Sequence, residues 1–231
     1  VGEIERMSDP FKNLKATLTD RYSCRGYLNK EVEKKDIEEA ILAASRVPTW
    51  CNAQPWKVLV TFGEATRKFA EVLTKAASEE EMKPDFAWPE EYTGIYNERR
   101  RICGHQLYEA LGIDRQNYVK RKEQMMENFR FFDAPHVAII TTDADLGPYG
   151  SMDTGGFIAM LSVVLRSKGI ASVVQASVTG YAHVIRKHFN IPSHRLVQTA
   201  ISFGYENSDH PTNSFRTDRA TINDVMTIVG K

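Results

Sequence analysis

Cysteine is scarce in this chain. Cys24, Cys51 and Cys103 are odd in number, widely spaced and without a C-x-x-C pair, which argues against a disulfide framework and suits three ordinary thiols in a reducing cytoplasm. Net charge is lacking too: lysine plus arginine and aspartate plus glutamate number 30 each. No whole-chain field therefore draws the protein to nucleic acid or to an anionic membrane, and any anion site must be local. No apolar run approaches the length of a bilayer span, and residues 1–10 lack a basic stretch followed by an apolar one, so the sequence reads as soluble, with Val1 suggesting a trimmed start. The six histidines supply no metal frame, since His183 and His188 diverge on a helix and no H-E-x-x-H accompanies them. Neither a G-x-S-x-G elbow nor a G-x-G-x-x-G fingerprint is present, which excludes the common hydrolase arrangement and a Rossmann dinucleotide site.

What is present is one domain's worth of periodic structure, spanning residues 1–231 without repeat, linker or composition break. From Asp36, the apolar positions Ile37, Ile41 and Leu42, with Arg46 in the last turn, predict an amphipathic helix that Pro48 ends. Residues 57–62 alternate as a half-buried strand does. Residues 78–130 are charged and aromatic and read as one or two helices outside the sheet, a lid or insertion. Within them, Arg99-Arg100-Arg101 is a solvated face or part of that lid. Phe129, Phe131 and Phe132 read as core rather than as a wall facing a ligand. A strand over residues 138–142 precedes a helix capped by Asp153 and stopped at Lys168-Gly169, with Phe157, Met160, Leu161, Val164 and Leu165 on one face. Residues 170–174 and 196–203 read as strands, 178–189 as a helix between them, and the tail is polar until residues 225–229. These elements alone permit either an α+β or a parallel α/β sheet.

Four segments carry chemistry. Arg21-Tyr22-Ser23-Cys24-Arg25 packs two guanidiniums and a hydroxyl into five residues, the donors a phosphate or a pyrimidine-dione edge requires. Pro48-Thr49-Trp50-Cys51-Asn52-Ala53-Gln54-Pro55-Trp56 joins amides and a hydroxyl to aromatic surface, as a flat, partly polar ring needs. Lying between a helix end and a strand start, it is a loop held by rigid elements. The third is the stretch from Gly169 to Ser177, and the fourth is Asn213-Ser214-Phe215-Arg216-Thr217-Asp218-Arg219.

At these residues, in this order, the chain resembles the FMN-dependent nitroreductase family, whose members carry an Arg-x-Ser-x-Arg segment followed by Pro-Ser-x-x-Asn-x-Gln-Pro-Trp. The resemblance runs from about Arg21 to Arg219. It implies an α+β fold: a central, mostly antiparallel sheet surrounded by helices, in an intertwined homodimer. It also implies an FMN site made by Arg21, Tyr22, Ser23 and Arg25, by Gln175, Ala176 and Ser177, whose backbone faces flavin N5, and by Arg216 and Arg219 near the phosphate. Thr217 stands where the family commonly has the lysine of a Lys-x-Arg pair. In that family the loop matching Pro48, Thr49, Trp50, Asn52 and Gln54 serves the flavin of the partner subunit. The activity implied is ping-pong: NADPH or NADH passes hydride to N5, leaves, and a small aromatic acceptor takes its place, with no residue acting as general acid. Trp50 and the region 96–135 look most like the branch that reduces nitrobenzoates. A same-fold reductase or oxidase acting on quinones, enones or halogenated aromatics, or a flavin-binding protein without turnover, would share these motifs.

Overall fold

The computed structural model describes residues 9–230, so most of the leading segment discussed above lies outside the described residues. Four strands, β1 (Lys57–Phe62), β2 (His136–Asp143), β3 (Ala171–Gln175) and β4 (Arg195–Gly204), form one sheet in the order β1-β2-β4-β3. Every pairing is antiparallel. The fold is therefore α+β, and the parallel arrangement that the pattern alone permitted is excluded. In β2, residues 136–142 are all buried, so both faces of the sheet are covered, and the alternation of side chains sorts them into two layers. Val137 and Ile139 meet Phe69 and Leu73 of α3 (Gly63–Glu79) and Ile185 of α8 (Ala182–Phe189). Ala138 and Ile140 meet Ile37 and Ala40 of α2 (Lys34–Ala44), with Phe157, Leu161 and Leu165 of α6 (Gly147–Ser167). Each of the larger of these side chains contributes about 1.5–3 kcal/mol by leaving water.

Five details differ from the expectation. Helix α2 starts at Lys34, and Leu42 is 70% exposed, because one residue beyond Ile41 the helix has already turned ~100° away from the core. Asp153 caps nothing. α6 begins at Gly147 with Pro148 in its first turn, where a missing N–H costs nothing, which leaves Asp153 inside the helix. Arg46 lies beyond the end of α2. The helix expected over 178–189 is two, α7 (Ala176–Thr179) and α8, broken at Gly180 and Tyr181. A Cβ on Gly180 would lie 2.9 Å from the sulfur of Met82 and 3.0 Å from the Trp88 ring, so the break lets residues 80–93 cross over it, pinned by Lys83 N–H donating to the Gly180 carbonyl at 2.7 Å.

Beyond that segment run α4 (Gly94–Ala110) and α5 (Tyr118–Met126), neither with a fully buried residue, and Arg99, Arg100 and Arg101 lie on the solvated face of α4. The turn Glu127–Asp133 then places Phe129, Phe131 and Phe132 in the core. Phe131, Phe132 and Asp133 all have φ near +60° (60°, 53° and 58°). That left-handed run is costly for L-residues, and it sends Phe131 onto Phe69 at 5.1 Å between centroids while Phe132 lies 5.9 Å from the Arg25 guanidinium. Among the described residues no helix is long and apolar enough to cross a membrane.

His136 is buried between Phe62 and Phe203, with Val32 N–H donating to Nε2 at 2.9 Å and Nδ1 lying 3.2 Å from the Thr61 carbonyl. Only the neutral ring satisfies both contacts, and burial, the larger effect, holds its pKa below the usual 6.5. A depressed folded-state value means the unfolded chain binds the extra proton, so stability is complete above pH ~6.5 and falls as the pH drops below it. Chemical denaturation between pH 8 and 5 should show this decline. His136→Gln should be less stable at pH 8 but with a shallower decline, and an unchanged slope would acquit this histidine.

Candidate flavin site

Strand β3 is an edge of the sheet, and residues 21–25 run along it. Ser23 bridges Ser172 in parallel register, and Cys24 N–H donates to the Ser172 carbonyl at 3.1 Å. The C-terminal segment closes over this edge. Asn213 Oδ1 accepts from the Arg25 N–H at 2.9 Å, Asn213 Nδ2 donates to the Gly26 carbonyl at 2.8 Å, and the Thr212 hydroxyl donates to the Arg25 carbonyl at 3.0 Å. The approach is close enough to require glycine, for a Cβ on Gly26 would fall 2.3 Å from the His210 ring. Cys24 is fully buried here and burial pushes its thiol pKa up, so the flanking arginines do not make it reactive.

Arg21, Arg25, Arg216 and Arg219 all belong to this edge and its cover, and none joins an ion pair among the described residues. Their intramolecular contacts are to carbonyls, a hydroxyl and rings. Arg25 Nη1 donates to the Ser23 carbonyl at 3.3 Å. Arg216 lies over the Tyr22 ring at 3.6 Å and donates to the carbonyls of Asn213 and Phe215, both at 2.8 Å. Arg219 Nη1 donates to the Thr217 carbonyl at 3.1 Å and to its hydroxyl at 2.9 Å, so Thr217 steadies the guanidinium beside it. Burial, and then the like charge of Arg219, hold Arg21 below its usual pKa, and burial does the same to Arg25. Two cations close enough to feel each other, Arg21 and Arg219, with no counter-ion among the described residues, form a site that an anion would complete. The donor set fits the phosphate and pyrimidine edge of FMN.

The third segment meets this edge at the end of β3. Gln175 is buried and its amide is spent on protein: Nε2 donates to the Asn128 carbonyl at 2.9 Å, and Oε1 accepts from the Ser202 hydroxyl. Ser177 Oγ donates to Asn128 Oδ1 at 3.2 Å. What this segment leaves for a ligand is its backbone, with Ala176 exposed and Ser177 half-buried. Beside Arg25 opens a cleft of about 350 Å³ walled by Leu111, Lys120 and Phe132 together with the carboxylates of Glu123, Glu127 and Asp133. A larger groove of about 850 Å³ lies between α3 and the 127–133 turn. Its cations, Arg67, Lys75 and Arg130, are already paired with Glu64, Glu79 and Glu127, so it holds no free charge for a phosphate.

The loop before β1 stands apart, since β1 is the opposite edge of the sheet. Pro48, Trp50, Asn52 and Gln54 are exposed and Thr49 is half-buried. Trp50 N–H donates to Asp153 Oδ2 at 3.0 Å, and its ring stands edge-on to Tyr149 at 4.0 Å. Gln54 donates to Asn52 Oδ1 at 3.0 Å, and its own N–H reaches the Thr49 hydroxyl at 3.3 Å. One protomer thus brings together residues 21–25, 175–177 and 216–219 but not residues 48–54.

Residues 18–205 match the model of the nitroreductase family. The chain belongs to that family. It is similar to nitroreductase NfnB of Mycolicibacterium smegmatis, with 32% identity over 208 residues covering 90% of this chain and 88% of the other. It is also similar to a 4-nitrobenzoate reductase of a Nocardioides strain, 28% identical over 222 residues, 93% of this chain and 89% of that one. Among solved structures, the FMN-dependent nitroreductase NfnB from Mycobacterium smegmatis in complex with NADPH superposes with a TM-score of 0.92 at 30% identity, covering 96% of this chain and 100% of that one. The nitroreductase fold expected from the motifs is the fold observed.

Sequence reading missed Asn128 and Asn213 as holders of the site, and Asp153 and Tyr149 as anchors of the loop. Asn213 lay inside a segment already singled out. The others gave no local signal, because their partners are distant in the chain.

Proposed function

We propose that this nitroreductase-family protein is an FMN-dependent NAD(P)H oxidoreductase that reduces nitroaromatic compounds, acting as a homodimer in a reducing cytoplasm where its three cysteines stay free. The observation that carries this reading is the set of four arginines at the β3 edge that have no counter-ion among the described residues. Arg21, Ser23 and Arg219 hold the phosphate, steadied by Thr217. Arg25, beside the cleft and above Phe132, takes the pyrimidine edge, where a guanidinium favours the reduced cofactor and raises its potential. Arg216, stacked on Tyr22, closes the site. Ala176 and Ser177 turn backbone N–H groups toward N5, fixed by Asn128. Bound FMN supplies the hydride acceptor and donor. Residues 80–93 with α4 and α5 form the lid, whose exposed Trp88, Tyr92 and Tyr96 suit a flat aromatic acceptor.

The homodimer reading is supported by α6. Tyr149, Met152, Gly156 and Met160 are exposed on it at helical spacing, an apolar and small-residue stripe left open among the described residues except where Trp50 meets Tyr149. Tyr149 also touches Trp50, so the same face presents the loop of residues 48–54 to a second copy, and the flavin site is completed across the interface. Phe11, Leu14 and Leu18 of α1 (Pro10–Asp20), like Ile222, Val225, Ile228 and Val229 of the tail, are exposed as well and suit an intertwined pair.

The test is an anaerobic spectrum of the purified protein before and after NADPH and then after a nitrobenzoate. A flavin spectrum that NADPH bleaches and the nitro compound restores is expected, with released FMN at one per chain. A yellow protein that NADPH leaves unchanged would make it a flavin-binding protein without turnover. Because one pocket serves donor and acceptor in turn, initial rates should give parallel double-reciprocal lines; intersecting lines would require a second site.

A further inference from the structure

The loop of residues 48–55 has a backbone that needs holding. Cys51, Asn52 and Gln54 have φ of 49°, 57° and 47°, a region L side chains rarely enter and one that persists only where the surroundings fix it. The loop's own bonds run among Thr49, Asn52 and Gln54, and Asp153 holds its beginning. Its end is held by Arg195. That guanidinium is buried, and Nη2 donates to the Pro55 carbonyl at 2.8 Å and to the Thr141 carbonyl at 2.7 Å, while Nε donates to Thr141 Oγ1 at 3.1 Å. Thr141 sits where the β2–β4 register slips, between Ile140 and Thr141, and such a bulge turns groups out of the ladder. The nearest carboxylate, Asp143, is 3.7 Å away, so this buried cation is spent on two backbone oxygens and a hydroxyl. The strand end that carries it is braced in turn: the Arg195 carbonyl accepts from Arg186 at 3.2 Å, Arg186 pairs with Asp85 at 2.6 Å, and Asp85 accepts from the Val197 N–H at 2.7 Å.

We propose that Arg195 is a positioning residue for the flavin site: by tying the Pro55 carbonyl to the β2 bulge it locks residues 48–55 in their left-handed form, so that the loop is shaped before flavin arrives. This rests on the reading that the loop completes the flavin site. The guanidinium fork is what the role requires. Nη2 reaches Pro55 O, Thr141 O and Thr141 Oγ1, and Nε adds a second bond to that hydroxyl; a lysine in its place keeps the charge, but its Nζ sits one bond nearer the backbone than Nη2 and it has no second nitrogen for Oγ1. Thr141→Val keeps the fork and the side-chain shape and removes only the hydroxyl that accepts from Nε and Nη2.

The experiment is hydrogen–deuterium exchange on the full chain as purified and after stripping and reconstituting FMN, with FMN titration of each stripped variant. In Arg195→Lys, amides of residues 50–56 should exchange about tenfold faster while those of β2 and β4 do not, and FMN should bind about tenfold more weakly. Thr141→Val should shift both in the same direction by less, and it carries the test if Arg195→Lys does not fold. Unchanged loop exchange in the folded variants overturns the inference whatever the flavin does. Faster loop exchange with FMN bound as in wild type overturns it through the reading beneath it, because the loop would then be anchored by Arg195 without serving flavin. A merely structural arginine would accelerate exchange across the sheet as well as the loop, and that result also rejects the role.

Discussion

Arg219→Ala is expected to weaken FMN binding roughly 10- to 150-fold, the loss of a charge-assisted hydrogen bond worth about 1.5–3 kcal/mol. Its effect on the flavin-free protein should be null or favourable, because Arg219 adds like charge beside Arg21 and its own bonds go no further than Thr217 and Asp218. Affinity and stability thereby move independently, which separates a phosphate contact from a structural arginine. Arg216→Ala should do the reverse in kind: the guanidinium stacked on Tyr22 at 3.6 Å and bonded to two carbonyls supports the covering segment, so its loss should lower the melting temperature and weaken FMN less. Fluorescence titration of FMN into the two stripped variants, with thermal melts of each, checks both halves. Equal affinities, or tighter binding in Arg219→Ala than in Arg216→Ala, would reject the assignment of Arg219 to the phosphate.

The chain announces its chemistry more clearly than its scaffold. The arginines of residues 21–25 and 216–219 stand out in the sequence because the phosphate role proposed for them demands a residue type, and residue types are what a sequence displays. The strands were legible for a related reason: residues 136–142 are apolar or threonine apart from one histidine, and a strand covered on both faces has no other pattern available. The start of α6 was not. Asp153 has the chemistry of a cap, but Pro148 was the better marker, and the carboxylate turned out to serve Trp50, about a hundred residues earlier in the chain. Gln175 is a similar case. An amide beside an expected backbone contact invites a ligand role, yet burial directs it to Asn128 and Ser202, and that preference comes from the packed sheet rather than from neighbours in sequence. Arg195 shows the limit most plainly. A lone arginine at the start of a strand carries no local mark, and only the folded chain places it against Pro55.

Gly156→Arg is expected to abolish the proposed dimer and, with it, nearly all FMN retention and nitroaromatic turnover. The substitution is suited to the question because a Cβ at Gly156 meets nothing within 4 Å in the protomer, and replacing a helical glycine removes a propensity penalty of up to about 1 kcal/mol. The protomer should therefore fold at least as well as wild type, and Gly156→Ala should confirm this. At a twofold interface the same α6 stripe faces itself, so each dimer would receive two guanidiniums in an apolar seam whose nearby carboxylate on the helix, Asp153, already accepts from the Trp50 N–H, each costing on the order of several kcal/mol. Light scattering should fall from about twice the chain mass to the chain mass itself. The loop of residues 48–54 would remain intact on each monomer, anchored through Asp153 and Arg195, but it would have no partner flavin to complete. Activity and mass should then rise together on shifting the equilibrium back with concentration. A Gly156→Arg protein that stays dimeric would move the interface off α6, whereas a monomer that keeps FMN and full turnover would mean that one chain suffices for the site.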